Sequence, residues 1–240
     1  VAMNVQSPSH KIGQYDPLCD GILADAARHT VILPYNNAQA VEDYLTAHPG
    51  EVAAIIIEPI AHNMGSVIAH DAFLRDLRRL TADHGAVLIF DEVITGFRHA
   101  LGGYQSIVGV TPDLATFGKA VASGHPIGIL AGRRDLMERL ARTGEGSVFM
   151  GGTFNGTPPS VAAMLATIGE LARDGTYERL FALGDRMRAG LRAIVDRLGV
   201  PRRRAIASAI GWRAEVRAAL QHLAGDADLR LAGIEAGLPL

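Results

Sequence analysis

Ala86-Val87-Leu88-Ile89-Phe90-Asp91-Glu92-Val93-Ile94-Thr95-Gly96-Phe97-Arg98 is the stretch whose reading decides the fold. Its first five residues are apolar without alternation, which reads as a strand buried on both faces, as in a parallel sheet covered by helices. Two acids follow at the carboxyl end, the end at which open α/β sheets bind ligands. A carboxylate there is placed to hold one fixed charge against a bound group, while a solvated acid or a helix cap is its commoner use.

The pattern repeats on either side. Residues 52–57 form a second continuous apolar run, ended by Glu58 and Pro59. Residues 37–48 suit a helix stopped by Pro49 and Gly50. Asp71 is placed to cap a helix whose Phe73, Leu74, Leu77 and Leu80 follow three- and four-residue spacing, with Gly85 as its stop. Downstream, 114–117 and 127–131 read as short strands around a polar turn that carries Lys119, and 160–173 and 177–198 as amphipathic helices. This alternation predicts an α/β fold with a mostly parallel sheet flanked by helices.

The 240 residues, with 48% apolar and 20% charged, exclude a disordered or low-complexity chain. A net charge of −2 gives no electrostatic footprint for nucleic acid, and Arg202 to Arg204 is the only basic cluster. Cys19, the single cysteine, excludes a disulfide-stapled secreted domain, so a reducing, cytoplasmic setting is expected. No apolar run approaches the roughly 18 residues of a membrane span. No signal peptide is legible, and a start without methionine points to a fragment.

Chemistry-bearing residues are few. The chain holds only two lysines, Lys11 and Lys119, and basic positions elsewhere are arginine. Only an amine can lose its proton and condense with an aldehyde, although a surface lysine is the usual alternative. Gly151-Gly152-Thr153-Phe154-Asn155-Gly156-Thr157-Pro158 is a glycine-rich turn before a helix, a form that suits phosphate. No lysine follows Gly156, so it is not a P-loop, and no G-x-G-x-x-G fingerprint occurs. Glu58, His62, His70, Asp71, Asp91 and Glu92 are metal-capable donors without metal-site spacing, so no metal is expected. The G-x-S-x-G elbow of a serine hydrolase is absent.

Taken in order, Glu58-Pro59, Asn63-Met64-Gly65, the 91–98 string, Thr111-Pro112-Asp113-Leu114, Gly118-Lys119 and Gly152-Thr153 closely resemble the class III aminotransferases. The resemblance covers roughly residues 31–200 and is strongest to the glutamate-1-semialdehyde 2,1-aminomutase group. It implies the large domain of a fold-type-I enzyme that uses pyridoxal phosphate (PLP). In that reading Lys119 forms the Schiff base with PLP and, once freed, acts as general base. Asp91 pairs with the pyridine nitrogen, which keeps the ring an electron sink. Val93 packs on the ring, Asn63 lies near its hydroxyl, Glu58 supports that side, and Gly152 and Thr153 hold the phosphate bound by the partner subunit. A homodimer with a shared site is therefore implied.

The expected function is PLP-dependent amino-group transfer on a small amino acid or amino-aldehyde, as an aminomutase or an ordinary transaminase. Ile94 stands where the ornithine and γ-aminobutyrate branches carry Gln, which leans toward the aminomutase group. The run from Ala120 to Pro126 is less glycine-rich than in that group, which keeps the transaminase open. The phosphate loop and stacking aromatic that the family carries toward its N-terminus are not recognisable, nor is its C-terminal domain. Three segments are thus expected: 1–30 as a remnant of the upstream active-site segment, 31–200 as the PLP-binding core, and 201–240 as an Ala/Arg-rich tail, divergent or frameshifted. The alternative is an inactive remnant acting at most as a dimerisation module.

Overall fold

The computed structural model describes residues 25, 28–64, 66–140 and 143–197. The tail 201–240, and all of 1–30 except 25 and 28–30, lie outside them. In chain order the elements are α1 (Ala38–Ala47), β1 (Ala54–Ile57), β2 (Ile60–Ala61), β3 (Val67–Ile68), α2 (Asp71–Asp83), β4 (Val87–Glu92), α3 (Gly103–Val108), β5 (Leu114–Gly118), β6 (Gly128–Gly132), α4 (Arg134–Met137), α5 (Pro158–Leu171) and α6 (Thr176–Arg197). Short 3-10 turns occupy His62–Met64, Lys119–Ala122 and Glu138–Leu140. Among the described residues the chain divides into two compact units, one within Val41–Pro59 and Ala69–Glu178, the other within residues 25, 28–40, 60–68 and 179–197.

The first unit holds a four-stranded sheet in the order β1-β4-β5-β6. β1, β4 and β5 run parallel, and β6 returns antiparallel to β5. α2 packs against β4 and buries Phe73, Leu74, Leu77 and Leu80. With Leu88 and Phe90, both fully buried, these residues form the centre of the core. Truncating any of the buried leucines to alanine costs roughly 3 kcal/mol. α2 begins at Asp71 itself, with His70 in the cap position and no side-chain cap bond. Asp71 therefore serves the helix by its charge in the first turn. Gly85, at φ +70°, follows the helix end and turns the chain toward β4.

Two strands differ from their sequence pattern. β4 alternates, with Leu88, Phe90 and Glu92 buried and Val87, Ile89 and Asp91 half-buried, although its residues up to Phe90 are uniformly apolar. Among the described residues β1 pairs with β4 alone, and Ile56 is 63% exposed. It is an edge strand rather than the doubly buried one that its apolar run predicts. Composition sets what a strand can bury, whereas its neighbours decide what it does bury.

The sheet is locked by a carboxylate. Asp113, buried just ahead of β5, accepts the Leu88 N–H through Oδ2 at 2.8 Å, and its own N–H donates to the Leu88 carbonyl at 2.8 Å. Arg78 of α2 reaches Oδ2, and Arg133 at the end of β6 reaches Oδ1, each at 2.9 Å. Burial would raise the Asp113 pKa, but donation from Leu88, Arg133 and Arg78 outweighs it and holds the carboxyl below its usual value.

The second unit contains the β2–β3 antiparallel pair, with Ile60 opposite Ile68 and Ala61 opposite Val67. The turn between them carries His62, buried, whose Nδ1–H donates to the Ile60 carbonyl at 2.8 Å. The Asn36 side-chain amide donates to the Ile68 carbonyl at 3.2 Å.

Because the folded pKa of Asp113 is depressed, its contribution is complete above the unfolded carboxyl value of about 4 and is lost as pH falls through the lower folded value. Asp113→Asn is expected to lower stability by about 2 kcal/mol at neutral pH. Urea unfolding at a series of pH values will show the gap from wild type narrowing below about pH 4.

Candidate active site

Strand parity separates the two acids. Asp91 and Glu92 are the last residues of β4, so their side chains leave opposite faces of the sheet. Glu92 is fully buried and accepts four hydrogen bonds: from the Thr95 hydroxyl at 3.0 Å, the Tyr104 N–H at 2.6 Å, the Gln105 N–H at 3.2 Å and the Gln105 side-chain amide at 3.1 Å. Two of these donors are orphan amides of the first turn of α3, whose N-cap, Gly102, has no side chain to satisfy them. Gly103 makes the approach possible, since a Cβ there would lie 2.7 Å from Glu92 Oε1, and its φ is +74°. Glu92 is thus a structural cap.

Asp91 is half-buried and differently engaged. Its Oδ1 accepts the Val93 N–H at 3.0 Å and the Thr116 hydroxyl at 3.2 Å. Its Oδ2 takes no hydrogen bond among the described residues. Thr116 sits directly opposite Asp91 in the β4–β5 register, and Lys119 follows three residues later, immediately past the end of β5. Lys119 is exposed, its side chain makes no hydrogen bond or ion pair among the described residues, and its backbone is left-handed at φ +48°. α5 packs on the 3-10 turn that Lys119 opens. Val93 lies beside the same strand end, for a Cβ built on Gly118 would be 3.5 Å from Val93 Cγ1.

Gly96 is explained by an aromatic wedge. A Cβ at Gly96 would overlap the Phe117 ring and lie 2.7 Å from the Glu92 carbonyl oxygen. Phe117 meets Phe97 edge-on, with ring centroids 5.5 Å apart. The Tyr177 hydroxyl donates to the Phe97 carbonyl at 3.1 Å, and partial burial raises the Tyr177 pKa, so it remains a protonated donor.

Of the remaining sequence candidates, Glu58 is half-buried directly after β1, one residue beyond the Ile57–Phe90 pair and hence at the level of Asp91. Asn63 belongs to the other unit, exposed on the His62–Met64 turn. Gly152 and Thr153 are exposed in the loop before α5, where the Asn155 N–H donates to the Gly152 carbonyl at 3.0 Å. No described hydrogen bond joins them to Asp91 or Lys119. Sequence reasoning missed Thr116, whose signal is its place three residues before Lys119 on a parallel strand. Among the described residues no cluster of His, Cys, Asp or Glu is arranged to hold a metal ion.

Asp91, with one carboxylate oxygen unbonded among the described residues, the Lys119 amine, likewise unbonded among them, and the small aliphatic Val93 therefore lie at or just past the carboxyl ends of adjacent parallel strands. That donor set suits a flat, cationic, aldehyde-bearing ring far better than a metal ion. The Aminotransferase class-III pattern matches residues 6–220. The chain belongs to the class-III aminotransferase family. This class-III chain is 45% identical over 188 residues to the glutamate-1-semialdehyde 2,1-aminomutase of Polynucleobacter necessarius, covering 78% of itself and 43% of that protein. It superposes on an ω-transaminase from Sphaerobacter thermophilus with a TM-score of 0.71 and 34% identity, over 82% of this chain and 45% of that one. The PLP internal aldimine form of the Sphingopyxis FumI protein gives a TM-score of 0.71 at 31% identity, over 81% of this chain and 46% of that one. The class-III chain thus spans less than half the length of the relatives it matches. Its α/β core, a mostly parallel sheet flanked by helices, is the fold of these PLP-family transaminases. Among its described residues no helix is long and apolar enough to cross a membrane.

The neighbouring acids of this class-III site should separate cleanly on mutation. Glu92→Ala strands four donors and is expected to cost about 2–4 kcal/mol by urea unfolding. Asp91→Asn keeps an oxygen for both of its donors and is expected to cost under about 1 kcal/mol.

Proposed function

We propose that this chain is the cofactor-binding core of a PLP-dependent enzyme that transfers amino groups, similar in chemistry to glutamate-1-semialdehyde 2,1-aminomutase and its aminotransferase neighbours. The observation that carries this reading is that Lys119, whose side chain has no partner among the described residues, follows the strand that pairs with Asp91, whose Oδ2 takes no hydrogen bond among the described residues. PLP, when bound, supplies the electron sink that lowers the barrier to removing a proton from the substrate carbon. Lys119 would hold the cofactor covalently, and its Nζ, once free, would move the proton at that carbon. Asp91 would hold the ring nitrogen by its carboxylate. Val93 would line the ring face, with Glu58 on the side of the ring hydroxyl.

Gly152 and Thr153 would bind the cofactor phosphate of a second copy. Their exposure supports this, as does the apolar surface around them, where Phe149 is 95% and Phe154 84% exposed. Solvated phenylalanines beside a polar loop are the mark of an interface rather than of a free surface. A homodimer with shared sites is therefore part of the proposal. The substrate would be a small amino acid or amino-aldehyde, and the setting the cytoplasm, in keeping with one cysteine in 240 residues.

Borohydride reduction of the chain with PLP, followed by peptide mass mapping, tests the reading. One adduct is expected on Lys119, absent in Lys119→Ala. No adduct, or equal labelling of Lys11, would overturn it.

A further inference from the structure

We propose that Thr116 is a positioning residue that sets which oxygen of Asp91 faces the cofactor. The proposal rests on the reading that Asp91 holds the ring nitrogen. A carboxylate on a single Cβ rotates in a broad, roughly two-fold well, so one hydrogen bond from its own segment leaves its plane poorly fixed. Asp91 has that local bond, from the Val93 N–H at 3.0 Å. It has a second one from another strand, the Thr116 hydroxyl at 3.2 Å, and both reach Oδ1. Two donors from different elements pin the plane and leave Oδ2 as the oxygen presented to a ligand.

The threonine is suited to this use. It lies directly opposite Asp91 in the parallel register, and its β-branched side chain is stiff about χ1. At a half-buried strand position valine would serve the fold equally well, so the hydroxyl finds its use in its acceptor. Asp91 Oδ1 is its one hydrogen-bond partner among the described residues. The strand that orients the carboxylate also delivers Lys119 three residues later. One element, β5, thereby sets both the amine and the charge opposite it, and preorganisation of this kind reduces what binding must spend on ordering the site.

The test uses the whole chain, PLP titration by fluorescence, and the pH dependence of the bound cofactor's absorbance. Thr116→Val, which removes the hydroxyl at nearly constant shape, is expected to weaken PLP binding about five- to twentyfold, the worth of one charge-assisted hydrogen bond. It should also move the midpoint of the absorbance–pH profile by about half a unit or more, with the thermal unfolding midpoint of the free chain unchanged. Thr116→Ser should return both readouts to within about threefold of wild type. Asp91→Asn should show a larger loss, and adding Thr116→Val to it should cause no further one, because Thr116 acts through Asp91. Wild-type PLP affinity and pH profile in Thr116→Val would overturn the proposal. So would a loss that adds fully to that of Asp91→Asn or is not restored by serine. Wild-type chain that takes up no PLP would overturn the underlying reading of the site and this proposal with it, whereas wild-type uptake with an indifferent Thr116→Val overturns the positioning role alone.

Discussion

Leu88 and Asp113 hold each other by two hydrogen bonds of 2.8 Å, one through the Asp113 carboxylate and one through its backbone N–H. This clasp stands one residue ahead of the first β4–β5 pair, Ile89 opposite Leu114, and it sets the register of everything that follows. A slip of one residue would turn every side chain of β5 to the other face. Asp91 would then lose Thr116, and Lys119 would leave the strand end in the wrong direction. Arg78 and Arg133 brace the same carboxylate from α2 and from the end of β6, so helix, sheet and site share one fixed point.

From that register comes a division of labour between adjacent acids. Glu92 faces the packed side, where α3 and Thr95 satisfy it with four donors. Asp91 faces the thinly covered side with two donors, both on the same oxygen. Identical chemistry therefore yields a buried cap at one position and a presented charge at the next. The difference lies in strand parity and in what packs on each face, not in the residues themselves. The Phe117 ring, seated against Gly96 and Phe97, keeps the loop after β4 close to the end of β5, so the two chain segments that frame the site stay together.

Much of this was legible from residue patterns. The apolar spacing of α2, the glycine behind it, and the order of strands and helices identify the α/β core, and the acid and the lysine occur at the carboxyl ends of its strands. What escaped the sequence depended on neighbours. Residues 86–90 are all apolar, so nothing in them announces that β4 alternates in cover. Ile56 belongs to a run that looks doubly buried yet is exposed at an edge. Glu92 and Asp91 look interchangeable until α3 is built around one of them. Thr116 looks like any strand threonine until its partner across the sheet is known. Asn63 falls in a different unit from Asp91, a partition that linear spacing does not reveal.

Lys119 carries a further consequence in its backbone. At φ +48° it occupies a region that costs a residue with a side chain about 1 kcal/mol or more, and the fold holds it there just past a strand end. The Lys119 side chain is thus carried at a standing expense to stability, at a position where glycine or asparagine would rest more easily. Under the proposed role of Lys119 that expense is the cost of keeping an amine there, and a lineage that gave up the chemistry would be free to replace it with either residue.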